Sequence, residues 1–140
     1  MKKKSGSSRK KRILLVDDDP AILEIFSLLL REAGYRVETA EHALSAMCAV
    51  VRARPDLVLA DIRMPIVDGK GLVAELKSSQ DTKEIPVVAI TGYDGPGAQE
   101  AAYRAGYDGY LTKPVDVRKF PDQVAQFLVN GKGKPAPSTL

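Results

Sequence analysis

Three apolar runs in this 140-residue chain each end on a residue that can do chemistry. Ile13-Leu14-Leu15-Val16 leads into Asp17-Asp18, Leu57-Val58-Leu59-Ala60 into Asp61, and Val87-Val88-Ala89-Ile90 into Thr91. A fourth, Gly109-Tyr110-Leu111-Thr112, leads into Lys113-Pro114. The carboxyl ends of the strands in an open parallel α/β sheet face one crevice. If these runs are such strands, three carboxylates, a hydroxyl and an amine converge there. That set suits a divalent cation and a phosphoryl group. A carboxylate such as Asp61 can attack phosphorus and form an aspartyl phosphate, a mixed anhydride. Two oxyanions must approach one another in that step, so a hard cation with oxygen ligands is wanted, and Mg²⁺ is the natural choice.

The elements needed to position these groups are legible as five alternations of strand and helix. Asp19-Pro20 starts the first helix, with Asp19 as its cap and proline favoured in the first turn. Ile22, Ile25, Phe26, Leu29 and Leu30 form its apolar stripe, and Gly34 stops it. Residues 35–39 alternate in period two, as a short strand near the sheet edge does. Ala46, Met47, Val50 and Val51 mark the second helix, and an all-apolar third strand at 56–60 suits burial on both faces. A loop at 64–69 precedes a helix on Leu72, Val73 and Leu76; the fourth strand spans 86–90. The glycine-rich segment 91–97 leads to an alanine-rich helix at 98–105, the strand at 109–112 follows, and a fifth helix runs to about residue 130 on Val117, Phe120, Val124, Phe127 and Leu128. Pro121 fits only in its first turn, so that helix starts late. The outcome is (βα)5 with right-handed crossovers, a three-layer α/β sandwich.

Composition narrows the class further. No apolar run approaches the 18 residues of a membrane span, and the basic N-terminus lacks the apolar core of a secretory signal. Cys48 is the only cysteine and His42 the only histidine, which excludes internal disulfides and multi-histidine metal sites and fits a cytoplasmic protein. Both read as residues without chemistry, one on a helix and one in a loop. The formal charge of +3 hides a partition: residues 1–12 hold seven Lys/Arg and no acid, whereas residues 13–130 carry 12 basic and 18 acidic groups. The basic run can bind nucleic acid or anionic lipid. Its Ser5-Gly6-Ser7-Ser8 spacer favours a disordered extension, and nucleic acid is not expected on the acidic folded domain. The expected layout is a basic tail at 1–11, one domain at 12–130 and a tail or linker at 131–140.

Val16-Asp17-Asp18-Asp19-Pro20, Asp61 followed by Met64-Pro65 and Asp68-Gly69, Thr91-Gly92 and Lys113-Pro114 together resemble the receiver domain of bacterial two-component response regulators. Each piece is common alone; their order and spacing across residues 12–130 are not. The resemblance implies a flavodoxin-like sheet of order 2-1-3-4-5. It also implies that Asp61 is the phosphoacceptor and that Asp18 and Asp61 ligate Mg²⁺ directly. Asp17 would act mainly through water, and the backbone carbonyl of Arg63 would complete the protein's share; Mn²⁺ is an acceptable substitute. Lys113 and Thr91 then contact the phosphoryl oxygens, and Tyr110 acts with Thr91 as a switch. The implied partners are a histidine kinase or histidine phosphotransfer protein and a downstream protein on the face of helix four, strand five and helix five.

Two other function classes compete. A Mg²⁺-dependent phosphatase with an aspartate nucleophile wants a second, general-acid aspartate two residues later, where Arg63 stands. A non-phosphorylated interaction module would not need the full set of site residues. Departures from the family pattern are small: Gly71 replaces a frequent acid and Ala43 a frequent glycine. Only about ten residues follow helix five, so the chain reads either as a stand-alone receiver or as one cut from a longer protein. Pathway and cognate kinase are not written in it.

Overall fold

The computed structural model describes residues 10–62, 70–92 and 95–130. Five parallel strands, β1 (Arg12–Val16), β2 (Arg36–Ala40), β3 (Leu57–Ile62), β4 (Val87–Thr91) and β5 (Gly109–Thr112), form one sheet of order β2-β1-β3-β4-β5. Helices α1 (Pro20–Glu32), α2 (Ala43–Arg52), α3 (Lys70–Lys77), α4 (Ala98–Ala105) and α5 (Phe120–Asn130) connect and follow them. Among the described residues no helix is long and apolar enough to cross a membrane.

Side chains alternate across a strand, and here the alternation builds two cores. Ile13, Leu15, Leu57, Leu59, Val88 and Ile90 pack with Leu23, Phe26 and Leu30 of α1 and Phe120, Val124 and Phe127 of α5. Leu14, Val16, Val58, Ala60, Val87 and Ala89 pack on the other face with residues of α2, α3 and α4. Central strands buried on both faces read as continuous apolar runs, which is why β1, β3 and β4 stood out in the sequence. The sheet runs β1 beside β3 with Val16 level with Ala60, and β3 beside β4 with Asp61 level with Ile90.

Several sequence expectations shift. The apolar stripe of α1 is centred on Leu23, Phe26 and Leu30, and Ile25 is 49% exposed. The fourth position on that stripe is Ser27, buried with its Oγ lacking a hydrogen-bond partner among the described residues; a polar residue in the core-facing row disguised the phase. In α2 the buried residues are Ala46, Ala49 and Val50, whereas Val51 is 83% exposed. His42 lies in the loop before α2 and has a structural role there. It caps α2, its Nδ1 accepting from the Ser45 N–H at 3.2 Å while the His42 N–H donates to Ser45 Oγ, a capping box. Val117 lies before α5, half exposed, and the backbone carbonyl of Asp116 takes the N–H groups of Lys119 and Phe120. Pro121 is the second residue of α5, as expected. Asp61 and Thr91 lie within the ends of β3 and β4 rather than after them. Met64-Pro65, Asp68-Gly69, residues 1–9 of the N-terminal tail and residues 131–140 lie outside the described residues.

An ion pair that the sequence did not advertise fixes β4 beside β5. Lys77 Nζ meets Asp108 Oδ2 at 2.6 Å and also donates to the carbonyls of Ile85 (2.9 Å) and Lys83 (3.2 Å). Asp108 Oδ2 accepts the Val87 N–H at 2.9 Å as well. Both side chains are largely buried. Removing one partner of such a pair strands the other's charge, so Asp108→Ala is expected to cost about 2 kcal/mol. Urea denaturation of the two proteins checks this, and equal midpoints would show the pair to be dispensable.

Candidate functional site

The candidate site is assembled at the carboxyl end of the sheet by backbone links between neighbouring strands. The Asp17 N–H donates to the Ala40 carbonyl at 3.0 Å, continuing the β1–β2 ladder past the last strand residue. Asp17 Oδ1 accepts the Asp19 N–H at 2.9 Å, and Asp19 Oδ1 in turn accepts the Ala21 N–H at 2.9 Å and caps α1. Two carboxylates in succession thus turn the chain from strand to helix, and Asp19 is spent on that turn. At the other side, the Lys113 N–H donates to the Thr91 carbonyl at 2.8 Å, locking the residue after β5 against the end of β4. The Lys113–Pro114 peptide bond is cis.

These links bring together groups far apart in sequence. Carboxylate oxygens of Asp17, Asp18 and Asp61 lie within 4.8 Å of one another. The Asp17 and Asp61 side chains are both nearly buried and Asp18 is exposed. Lys113 Nζ stands 2.8 Å from Asp61 Oδ1 and 3.9 Å from Asp17 Oδ2. Thr91 is buried at the end of β4 and its Cα is level with those of Ile62 and Thr112. Tyr110 is half-buried in β5, packed against the core on the α2–α4 face. It also lines an open concavity of about 370 Å³ with Gly95, Gly97, Ala98, Gln99 and Glu100 at the start of α4. Arg63 lies outside the described residues, so the structure places every candidate site residue except that one.

Burial raises the Asp17 carboxyl pKa, and the charges of Asp61 and Asp18 push the same way; the Asp19 N–H and Lys113 pull it back without cancelling the rise. A strained carboxylate cluster facing solvent on one side is what a hard cation relieves. Oxygen-only donors select the Mg²⁺, Ca²⁺ and Mn²⁺ class over softer metals. The residues present therefore fit such an ion.

The raised pKa has a consequence for metal-free protein. Just above the ordinary aspartate range, the native state holds more protons than the unfolded chain, so stability falls as pH rises through that interval. Asp17→Asn keeps the acceptor for the Asp19 N–H and removes the charge. It is expected to flatten this pH dependence and to be the more stable protein near neutrality. Melting curves in EDTA from about pH 4 to pH 7 check it; parallel curves for the two proteins would remove Asp17 as the cause.

The family model of the response regulator receiver domain matches residues 13–125. RpaA of Synechocystis, named a DNA-binding dual master transcriptional regulator, is 36% identical over 116 residues, covering 83% of this chain and 48% of RpaA. The chain thus spans about half the length of that relative. DivK of Brucella anthropi, a polar-differentiation response regulator, is 30% identical over 116 residues, 83% of this chain and 94% of DivK. Among solved structures, the receiver domain of the sensor histidine kinase PA1611 from Pseudomonas aeruginosa is 28% identical. It superposes with a TM-score of 0.75 over 86% of this chain and 99% of that one. In that protein a magnesium ion is coordinated in the active-site cleft.

Proposed function

Because the chain belongs to the response regulator receiver domain family, we propose that it takes a phosphoryl group on Asp61 and relays it as a change of shape. What supports Asp61 as acceptor is one observation above the rest: its carboxylate shares a site with Asp17 and Asp18 and lies 2.8 Å from Lys113. An Asp61 oxygen attacks the phosphorus of a phosphohistidine; the new P–O bond forms as the P–N bond breaks, and the imidazole leaves with the electron pair and takes up a proton. No general base is needed, since the carboxylate is already ionised. Asp17, Asp18 and Asp61 would hold Mg²⁺, with the Arg63 carbonyl as a further ligand, and Mn²⁺ meets the same donor preference. When bound, the ion neutralises charge as two oxyanions meet. Lys113, freed from the carboxylate it now pairs, holds a phosphoryl oxygen as a point charge. The donor is a histidine kinase or a histidine phosphotransfer protein, and the protein's own chemistry is limited to slow self-phosphorylation and hydrolysis. The thiol usage fits work in the cytoplasm.

The signal leaves through α4, β5 and α5. Thr91 turns its hydroxyl to the phosphoryl group, and Tyr110 moves relative to the concavity at the head of α4, coupling two discrete arrangements. Only Ala98 and Ala102 of α4 are buried, and its N-cap, Gly97 at φ 80°, makes no side-chain cap bond. So thinly anchored a helix shifts at low cost. Acetyl phosphate with Mg²⁺ should add one phosphoryl group, labile to hydroxylamine. Amide shifts should then change at Thr91, at Tyr110 and along Ala98–Ala105. Shifts confined to the Asp61 pocket would reject the switch, and failure to label would reject the acceptor role and leave a non-phosphorylated interaction module.

A further inference from the structure

At the opposite end of the sheet from Asp61, Lys10, Arg12, Arg31 and Arg36 gather with Tyr35 around a concavity of about 540 Å³. Three different elements supply them: the start of β1, the last turn of α1 and the start of β2. Arg12 and Arg36 are register partners on neighbouring strands. Like charges placed opposite one another in a sheet are destabilising, so this arrangement gains from an anion between them. The carboxylate lining the concavity, Glu38, is taken by Arg52 at 2.5 Å. The Asp56 carboxylate nearby accepts the Arg12 N–H and Asp122 lies near Tyr35. Upstream in sequence, Lys2, Lys3, Lys4 and Arg9 extend the same charge with no acid among them.

We propose that this basic pole binds single-stranded nucleic acid through its phosphodiester backbone. A concave cluster of cationic side chains with a partly buried tyrosine in its lining, its ring resting on the core, matches the way single strands are held, by a cationic groove with an aromatic surface. A membrane fits less well. Its surface is not concave, and none of the exposed large apolar side chains that would anchor in lipid lines the site among the described residues. A duplex is too broad and stiff to enter a concavity of about 540 Å³, whereas a single strand can bend into it.

The test is fluorescence anisotropy of the full chain with labelled oligo-U and oligo-dT across a salt series. With residues 2–9 deleted, four phosphate contacts predict log K falling with log salt at a slope of about −3, at roughly 0.7 per contact, and the full chain should be steeper. Arg36→Glu should weaken binding about tenfold and reduce the slope by about one. The same variant replaces a repelling pair with an attracting one, so its melting temperature should hold or rise and misfolding cannot account for the loss. Deleting residues 2–9 should weaken binding but leave its dependence on Arg36. The proposal is overturned if that deletion abolishes binding while Arg36→Glu and Lys10→Glu leave it unchanged, since the tail alone would then be the binder. Equal or tighter binding of a duplex overturns it too, as does capture by phosphatidylserine vesicles without capture of either oligonucleotide.

Discussion

Asp61→Asn is expected to lower labelling by acetyl phosphate at least about a thousandfold, a barrier increase of roughly 4 kcal/mol. The amide is nearly the same shape as the carboxylate but carries no anionic oxygen to attack phosphorus. The fold should survive, because Asp61 sits at the end of β3 with its backbone in the ladder to β4, and the substitution leaves that ladder intact. Lys113 loses the charge of its 2.8 Å partner but can still donate to the amide Oδ1, and it retains Asp17, 3.9 Å away. Intact-mass measurement after incubation with acetyl phosphate and Mg²⁺ decides the matter. Full labelling of the Asn variant, or a phosphate that survives hydroxylamine, would move the acceptor elsewhere.

The largest effect on stability is expected at Phe120. Its side chain is fully buried between the sheet and α1, with its ring centroid 4.7 Å from that of Phe26 and the planes tilted by 33°. Truncation to alanine removes the aromatic pair and leaves a cavity in a layer with little freedom to collapse, at about 3–5 kcal/mol. Against a total stability of about 5–15 kcal/mol for such a domain, that leaves a marginal fold. Val129→Ala lies on the same helix at a position 83% exposed and should change stability by less than about 0.5 kcal/mol. Denaturant midpoints for both variants check the contrast; a Phe120→Ala loss below about 1 kcal/mol would mean the site repacks.

Helix count and the convergence of Asp17, Asp18, Asp61, Thr91 and Lys113 were legible in the residue pattern, whereas the strand order came only from the resemblance to receiver domains. The central strands are buried on both faces, and a parallel sheet sends all its carboxyl ends one way. Phase was harder than existence. Ser27 occupies a core-facing position on α1 and turned the apparent stripe toward Ile25, and Val117 mimicked a helix position in the turn before α5. The caps were missed where the residue type gave no warning: histidine is an uncommon N-cap, and His42 serves because Nδ1 can accept. The Lys77–Asp108 pair and the basic pole were invisible for a different reason. Their members come from separate elements, and only the packed sheet makes neighbours of residues such as Arg31 and Arg36. Arg63, set by resemblance alone, stays a proposal.

The acidic pocket and the guanidinium cluster sit at opposite ends of strands five residues long, roughly 15 Å apart along the sheet. These two clusters therefore place opposite charge at the two ends of the β1–β2 edge of the sheet. In the field of a partner with a positive docking face, the molecule rotates carboxylate-end first before contact, so orientation is largely selected during diffusion. Such steering raises encounter rates by about ten- to a thousandfold and weakens as salt shortens the Debye length. The same torque holds a polyanion at the far end away from the phosphoacceptor pocket, so one molecule can meet ligands of opposite charge without their competing for an approach path.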